Sequence, residues 1–430
     1  MDIVEHQLVG DFSVPLLCCV PTRGKNNEFV TITYDKPHYV PMSQHHIDTI
    51  SIEIKTDQNR HVSFRFGKIV KGDGTDLDDG AAVGLVNYPL ASIFSQLDVT
   101  LGDCLISQSN NCYPYRVFIE SVLNYSDDTL ATLFLAGLFY KDTPGQHEAV
   151  VLDGDNHGFR RQVSLTAGSR KIELLGHLHS DLFFEEKLLL NDVDVKIKLT
   201  RSKDAFCLMG TPEVGQCKLQ ITYASLFVKK VKVAPGVRLG HVEALLIANA
   251  KYSIDCTGLK VFSIPAGSRV SNQENLFLGQ LPKLIVIRFV DNDAFSGNYS
   301  KNPLTLKITN FVALYVDGEQ IPAKPLQHDF ENGNCVREYM QLVQTAGKHM
   351  KDHSLLINRE EFAQGYTLFA FDQSPDQECA DHYSLIKTRH LRAEIRFAGT
   401  LPITVNMIVY GVFDNVIEIN QRRNMLFDYM

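Results

Sequence analysis

The chain has 430 residues, of which 44% are hydrophobic and 21% charged, an ordinary globular composition with enough apolar material for two or three domains. Its net charge is −8 with no terminal run of Lys or Arg, so it carries no arm for neutralising nucleic-acid phosphates. If the protein encloses nucleic acid, something else must meet the phosphates.

The 25 Phe and 16 Tyr, interleaved with Val, Ile and Thr and with no Trp, favour sheets. Residues 1–21 read as an extended arm or an edge strand, and 29–34 as the first regular strand. Ile47 to Lys55 and Val62 to Phe66 are two more. Gly72 to Gly80 (GDGTDLDDG) is a loop whose Asp spacing does not fit a calcium site. Pro89 to Leu105 reads as a strand pair turning at Gly102-Asp103. Tyr113 to Leu123 has helical spacing, with Pro114 near its start. Thr129 to Tyr140 suggests a second short helix, and Gly145 to Gly158 a polar loop. Lys171 to Leu182 returns to a strand pattern.

The stretch from Arg161 to Val233 holds two of the clearest strand signatures. In Val193 to Thr200 (VDVKIKLT), apolar and polar residues alternate without a break, as in a strand with one buried face. Leu219 to Val233 is rich in β-branched and aromatic residues and ends in alternating Val and Lys. Ala234-Pro235-Gly236 marks the best boundary, dividing the chain into 1–235 and 236–430. His241 to Ala248 suggests a short helix. In the second half, Lys260 to Ile264, Leu284 to Val290, Leu304 to Val316, Tyr366 to Phe371, Leu391 to Phe397 and Ile403 to Phe413 all read as strands. Asp317-Gly318 is a hairpin tip. Ala323 to Asn358 is a long polar excursion with helix around Val336 to Val343. Residues 420–430 form a tail whose Met425, Leu426, Phe427 and Tyr429 are free to contact a neighbour or, alternatively, to fold back on their own domain. The residues thus indicate an all-β chain of two sandwiches or barrels, with a few short helices in loops.

No chemistry-bearing constellation stands out. The nine Cys include no C-x-x-C pair, which points to reduced, mostly buried thiols. His177-x-His179 lacks a nearby third ligand, and His45-His46 reads as a loop pair. Phosphate-binding, dinucleotide-binding, zinc-protease and nucleophile-elbow motifs are missing. No catalytic, cofactor-binding or metal site is assigned, and no cofactor is expected. MDIVEHQ lacks the features of a signal peptide, and apolar runs such as Leu133 to Leu138 are too short to span a bilayer. The sequons at Asn124 and Asn298 are accordingly read as meaningless.

Six segments carry a family resemblance: Asn87 to Val99 (NYPLASIFSQLDV), Ser109 to Arg116 (SNNCYPYR), Gly176 to Phe183 (GHLHSDLF), Val193 to Phe206 (VDVKIKLTRSKDAF), Glu274 to Pro282 (ENLFLGQLP) and Gly365 to Asp372 (GYTLFAFD). Occurring in this order, they resemble the major capsid protein of Polinton/Maverick elements and adintoviruses. The resemblance implies a double jelly roll, as in adenovirus hexon and virophage capsid proteins. It also implies pseudo-hexameric homotrimers, capsomer–capsomer contacts in an icosahedral shell around a DNA genome, and penton and minor capsid partners. The chain would then reside in the virion, be made inside the host cell and not be secreted, without sequence-specific nucleic-acid binding. The alternative is a jelly-roll glycan- or receptor-binding module that does not assemble a capsid.

Overall fold

The computed structural model describes residues 7–9, 12–14, 49–55 and 67–427, apart from 79, 186, 212–216, 229–230, 232, 305–310, 331, 350 and 375–387. The expected strands at 29–34 and 62–66 and the His45-His46 pair lie outside the described residues.

In the first half, strand Asp194–Arg201 runs antiparallel between Thr49–Lys55 and Phe94–Leu101, with Cys104–Gln108 at the edge. Val193, Val195, Ile197 and Leu199 are buried, whereas Lys196 and Lys198 are exposed. The alternation therefore sets the register as expected. Three short antiparallel ladders, Gln7–Val9 with Phe12–Val14, Lys68–Lys71 with Cys217–Gln220 and Val83–Leu85 with Leu208–Gly210, complete the strands described here. Pro89–Ser92 is a helical turn before its strand begins, and Tyr113–Asn124 is the expected helix. The next region holds a 3₁₀ turn, Asp127–Ala131, and the short helix Leu133–Ala136.

Three readings need correction. The Leu219 to Val233 strand stops at Gln220, and no described residue from 221 to 233 joins a ladder. β-Branched composition is insufficient where no neighbouring edge takes the backbone bonds. Lys171 to Leu182 forms no strand: Ile172 and Leu174 are buried, but scattered bonds hold the segment, including Ile172 N to Gly67 O and Leu175 N to Ala136 O, and it ends in a turn at Asp181-Leu182. The polar loop ends early: His157–Thr166 is a helix, capped by the Asn156 side chain accepting from Phe159 N.

The second half is a sandwich. One sheet has the order Ala250–Ile264, Val405–Ile419, Leu284–Asp291, Phe369–Asp372. The other runs Val270–Gln273, Leu391–Arg396, Phe311–Val316, Glu319–Leu326. Strand Leu284–Asp291 is apolar on both faces. Ile285, Ile287 and Phe289 meet the facing sheet's Leu314, Ala393 and Ile395 in one core cluster, whereas Val286 and Val290 join the cluster that continues into the first half. Two-sided burial explains why the sequence runs apolar there instead of alternating. The Asp317-Gly318 tip joins Val316 to Glu319 with φ of 50° and 88°, the left-handed pair a two-residue hairpin turn needs. Strand Glu319–Leu326 reaches into the expected polar excursion, which also contains helix Val336–Thr345.

Pro235 starts a helix, Pro235–Ile247, longer than expected. The tail also departs from expectation. Met425–Leu426 pairs back on Ile419 and Glu418, and Met425 and Phe427 pack against the chain's own core. Folding back covers Met425 and Phe427 locally, whereas Leu426 stays 54% exposed; Tyr429 lies outside the described residues.

Gly258 and Gly411 face each other across the long ladder and leave a slot for Phe277. A Cβ on Gly411 would stand 2.8 Å from the Phe277 ring. Gly411→Ala is expected to cost about 1–3 kcal/mol. Adding Phe277→Leu should restore part of that loss, as thermal unfolding of the single and double variants will show.

Candidate functional site

Helix Tyr113–Asn124 is buried at every residue from Tyr113 to Leu123. A helix buried all round must lie inside the packing. Arg116 on this helix is 2% exposed. It donates from Nε to Glu120 Oε1 at 2.7 Å, from Nη1 to Ser107 Oγ at 2.9 Å and from Nη2 to Asp181 Oδ1 at 2.5 Å. His179 Nδ1 bonds Glu120 Oε2 at 2.7 Å; a carboxylate only accepts, so Nδ1 carries the hydrogen. The Tyr410 hydroxyl, from the second half, donates to Glu120 Oε1 at 3.5 Å. Burial would raise the Glu120 carboxyl, but the Arg116 charge and the His179 bond hold it at about 2. Burial pushes Asp181 up against the pull of Arg116. The cluster lines an open cleft of about 560 Å³ whose wall includes Lys283, itself paired with Asp255 at 2.8 Å and Asp414 at 3.1 Å. The Arg116 charges satisfy one another within the first half, and the Tyr410 hydroxyl reaches them from the second.

Further contacts cross the same junction. Arg288 is fully buried and lies 4.3 Å over the Phe118 ring and 6.0 Å from that of Tyr115. Its Nη2 donates to the Leu304 carbonyl, while Nε and Nη1 make no hydrogen bond among the described residues. Burial lowers its guanidinium to about 10. Asp142, in the first half, accepts from Asn302 Nδ2 at 2.8 Å, and its carbonyl accepts from the Tyr366 hydroxyl at 3.2 Å. Alongside it, Lys141 pairs with Glu361 at 3.0 Å.

Burial raises Asp142 to about 6, although side-chain amides, Asn302 among them, pull the other way. A carboxyl raised in the folded state binds a proton there more readily than in the unfolded chain between about pH 4 and 6. Its contribution to stability therefore falls as pH rises through that window. Relative to Asp142→Asn, the wild type is expected to lose about 1–3 kcal/mol between pH 4 and pH 7. Denaturation midpoints of both proteins across that range will check this, and a constant difference would contradict it.

No family model matches the chain. An uncharacterized protein of Caenorhabditis elegans is 24% identical over 383 residues, covering 87% of each chain. Among solved structures, a chain of the Sputnik virophage aligns with a TM-score of 0.55 at 11% identity, over 98% of this chain and 94% of that one. The mavirus major capsid protein aligns with a TM-score of 0.54 at 10% identity, over 96% of both chains. The fold is the double jelly roll. A chain of the PBCV-1 virus capsid agrees, at a TM-score of 0.52 and 9% identity, over 93% of this chain and 100% of that one. The architecture implied by the six resembling segments is thus borne out.

Within the double jelly roll, the residues weighed as ligands are dispersed or already engaged. His179 belongs to the Arg116 cluster, and His177 is half-buried beside the Tyr88 and Phe134 rings. In the acidic loop, Asp76 pairs with Lys68 at 2.6 Å and Asp78 with Lys71 at 2.8 Å. Among the described residues, no three His, Cys, Asp or Glu side chains gather as a metal site, and no helix is long and apolar enough to cross a membrane. Six described Cys are unpaired and five of them are buried. Sequence reasoning missed Arg116, Glu120, Asp181 and Arg288. The available signal was a charge inside an otherwise apolar segment: Arg288 interrupts LIVIRFV, and Arg116 and Glu120 stand one turn apart in a helix with little other polarity.

Proposed function

We propose that this chain is a major capsid protein that self-assembles as pseudo-hexameric trimers into an icosahedral shell enclosing a DNA genome. The observation that carries the reading is full-length correspondence: 96% of this chain and 96% of the mavirus major capsid protein superpose. The jelly rolls are proposed to be residues 1–235 and 236–430. Three chains would then supply six similar sandwiches, matching a hexagonal tile under threefold closure. Penton and minor capsid proteins would complete the shell, and the chain, made inside a host cell, would reside in the virion. With a net charge of −8, it would leave the genome's phosphates to another component.

Negative-stain microscopy of the purified protein tests this. Hexagonal capsomers or shells are expected. Dispersed single-chain particles that bind a glycan array would favour the non-assembling jelly-roll module instead.

A further inference from the structure

Helix Pro235–Ile247 is apolar almost all round yet exposed: Val237, Leu239, Val242, Leu246 and Ile247 are 44–89% accessible, and Leu245 is its only buried residue. A helix with that composition belongs in an interior. Beside it lies an open apolar groove of about 440 Å³, lined by Leu188, Leu190, Val231, Val233 and Tyr252. Exposed Lys187 and Lys251, the latter paired with Glu418 at 2.9 Å, and half-buried His241 give the groove a basic rim, and exposed Arg238 stands on the helix itself. Glu243 is the acidic residue of the helix.

A complementary surface exists elsewhere on the same chain. Residues 148–155 read EAVVLDGD, with three carboxylates and no cation. Val150 and Leu152 pack against the chain's own core, which anchors the loop. Val151 projects outward, 61% exposed, flanked by exposed Glu148, Asp153 and Asp155. We propose that helix Pro235–Ile247 and its groove receive the 148–155 loop of a second copy of this chain, Val151 entering the apolar surface and the carboxylates meeting the basic rim. Socket and knob are different surfaces, so the contact is head-to-tail and makes a closed ring when the rotation closes. The inference rests on the capsid reading and adds which surfaces meet. Charge matching of this kind sets register and partner choice, while the apolar contact supplies the attraction.

Light scattering coupled to size exclusion on the full chain tests it with three variants. Leu239→Asp/Leu246→Asp and Glu148→Lys/Asp153→Lys should each drop from a multimer to one chain mass, with thermal unfolding of the chain retained because all four side chains are exposed. Adding Lys187→Glu/Arg238→Glu to the loop variant should restore the multimer. The proposal is overturned if the helix variant still assembles. It is equally overturned if the helix variant dissociates while the loop variant assembles like wild type, since another surface would then cover the helix. A wild-type chain that stays monomeric at every concentration would instead defeat the capsid reading beneath it.

Discussion

Arg116→Met is expected to lower stability by about 3–5 kcal/mol, because removing one member of a buried ion cluster leaves the others uncompensated. Here Glu120 and Asp181 would remain beside the junction helix without the cation that bonds both. Glu120 should suffer most, since Arg116 is the chief influence holding its carboxyl at about 2 against burial. The loss should be visible as a lowered denaturation midpoint. The triple variant Arg116→Met/Glu120→Leu/Asp181→Leu should recover much of the loss, because well-packed apolar replacements often match a buried ion cluster. A single variant within about 1 kcal/mol of wild type would show that the cluster does not hold the junction.

Ile197→Asp is expected to be at least as damaging. Ile197 is 1% exposed and sits mid-strand, opposite Ile52 on one side and Val99 on the other. A carboxylate there has no cation to meet and would cost several kcal/mol, enough to abolish soluble expression. Lys198→Gln, one residue along on the exposed face, should stay within about 0.5 kcal/mol of wild type. Normal yield and melting temperature for Ile197→Asp would mean the strand register is wrong.

The strand around Ile197 was legible because a half-solvated strand writes its two faces into alternating residues. Leu284 to Val290 and Ile403 to Phe413 were legible as strands from their apolar runs, but not the continuation of the second to Ile419 nor what each face touches. Burial on both sides erases the alternation that would distinguish the sandwich core from the junction. Leu219 to Val233 misled because strand propensity describes a side chain's fit to a pleated surface, whereas a strand also needs a partner edge. The tail misled because exposed apolar residues in a sequence do not reveal whether they fold home or reach outward; here Met425 and Phe427 fold home. The Arg116 clamp was invisible as a set, since Ser107, Arg116, Asp181 and Tyr410 converge from positions far apart in the chain. Only the i, i+4 pair of Arg116 and Glu120 could be read locally.

Self-assembly of the double jelly roll into a threefold capsomer fixes the mass of the particle in solution. Light scattering on the purified wild-type chain at micromolar concentration should give three times the 48.4 kDa chain mass. A mass of one chain, or a stable dimer of two, would contradict the account.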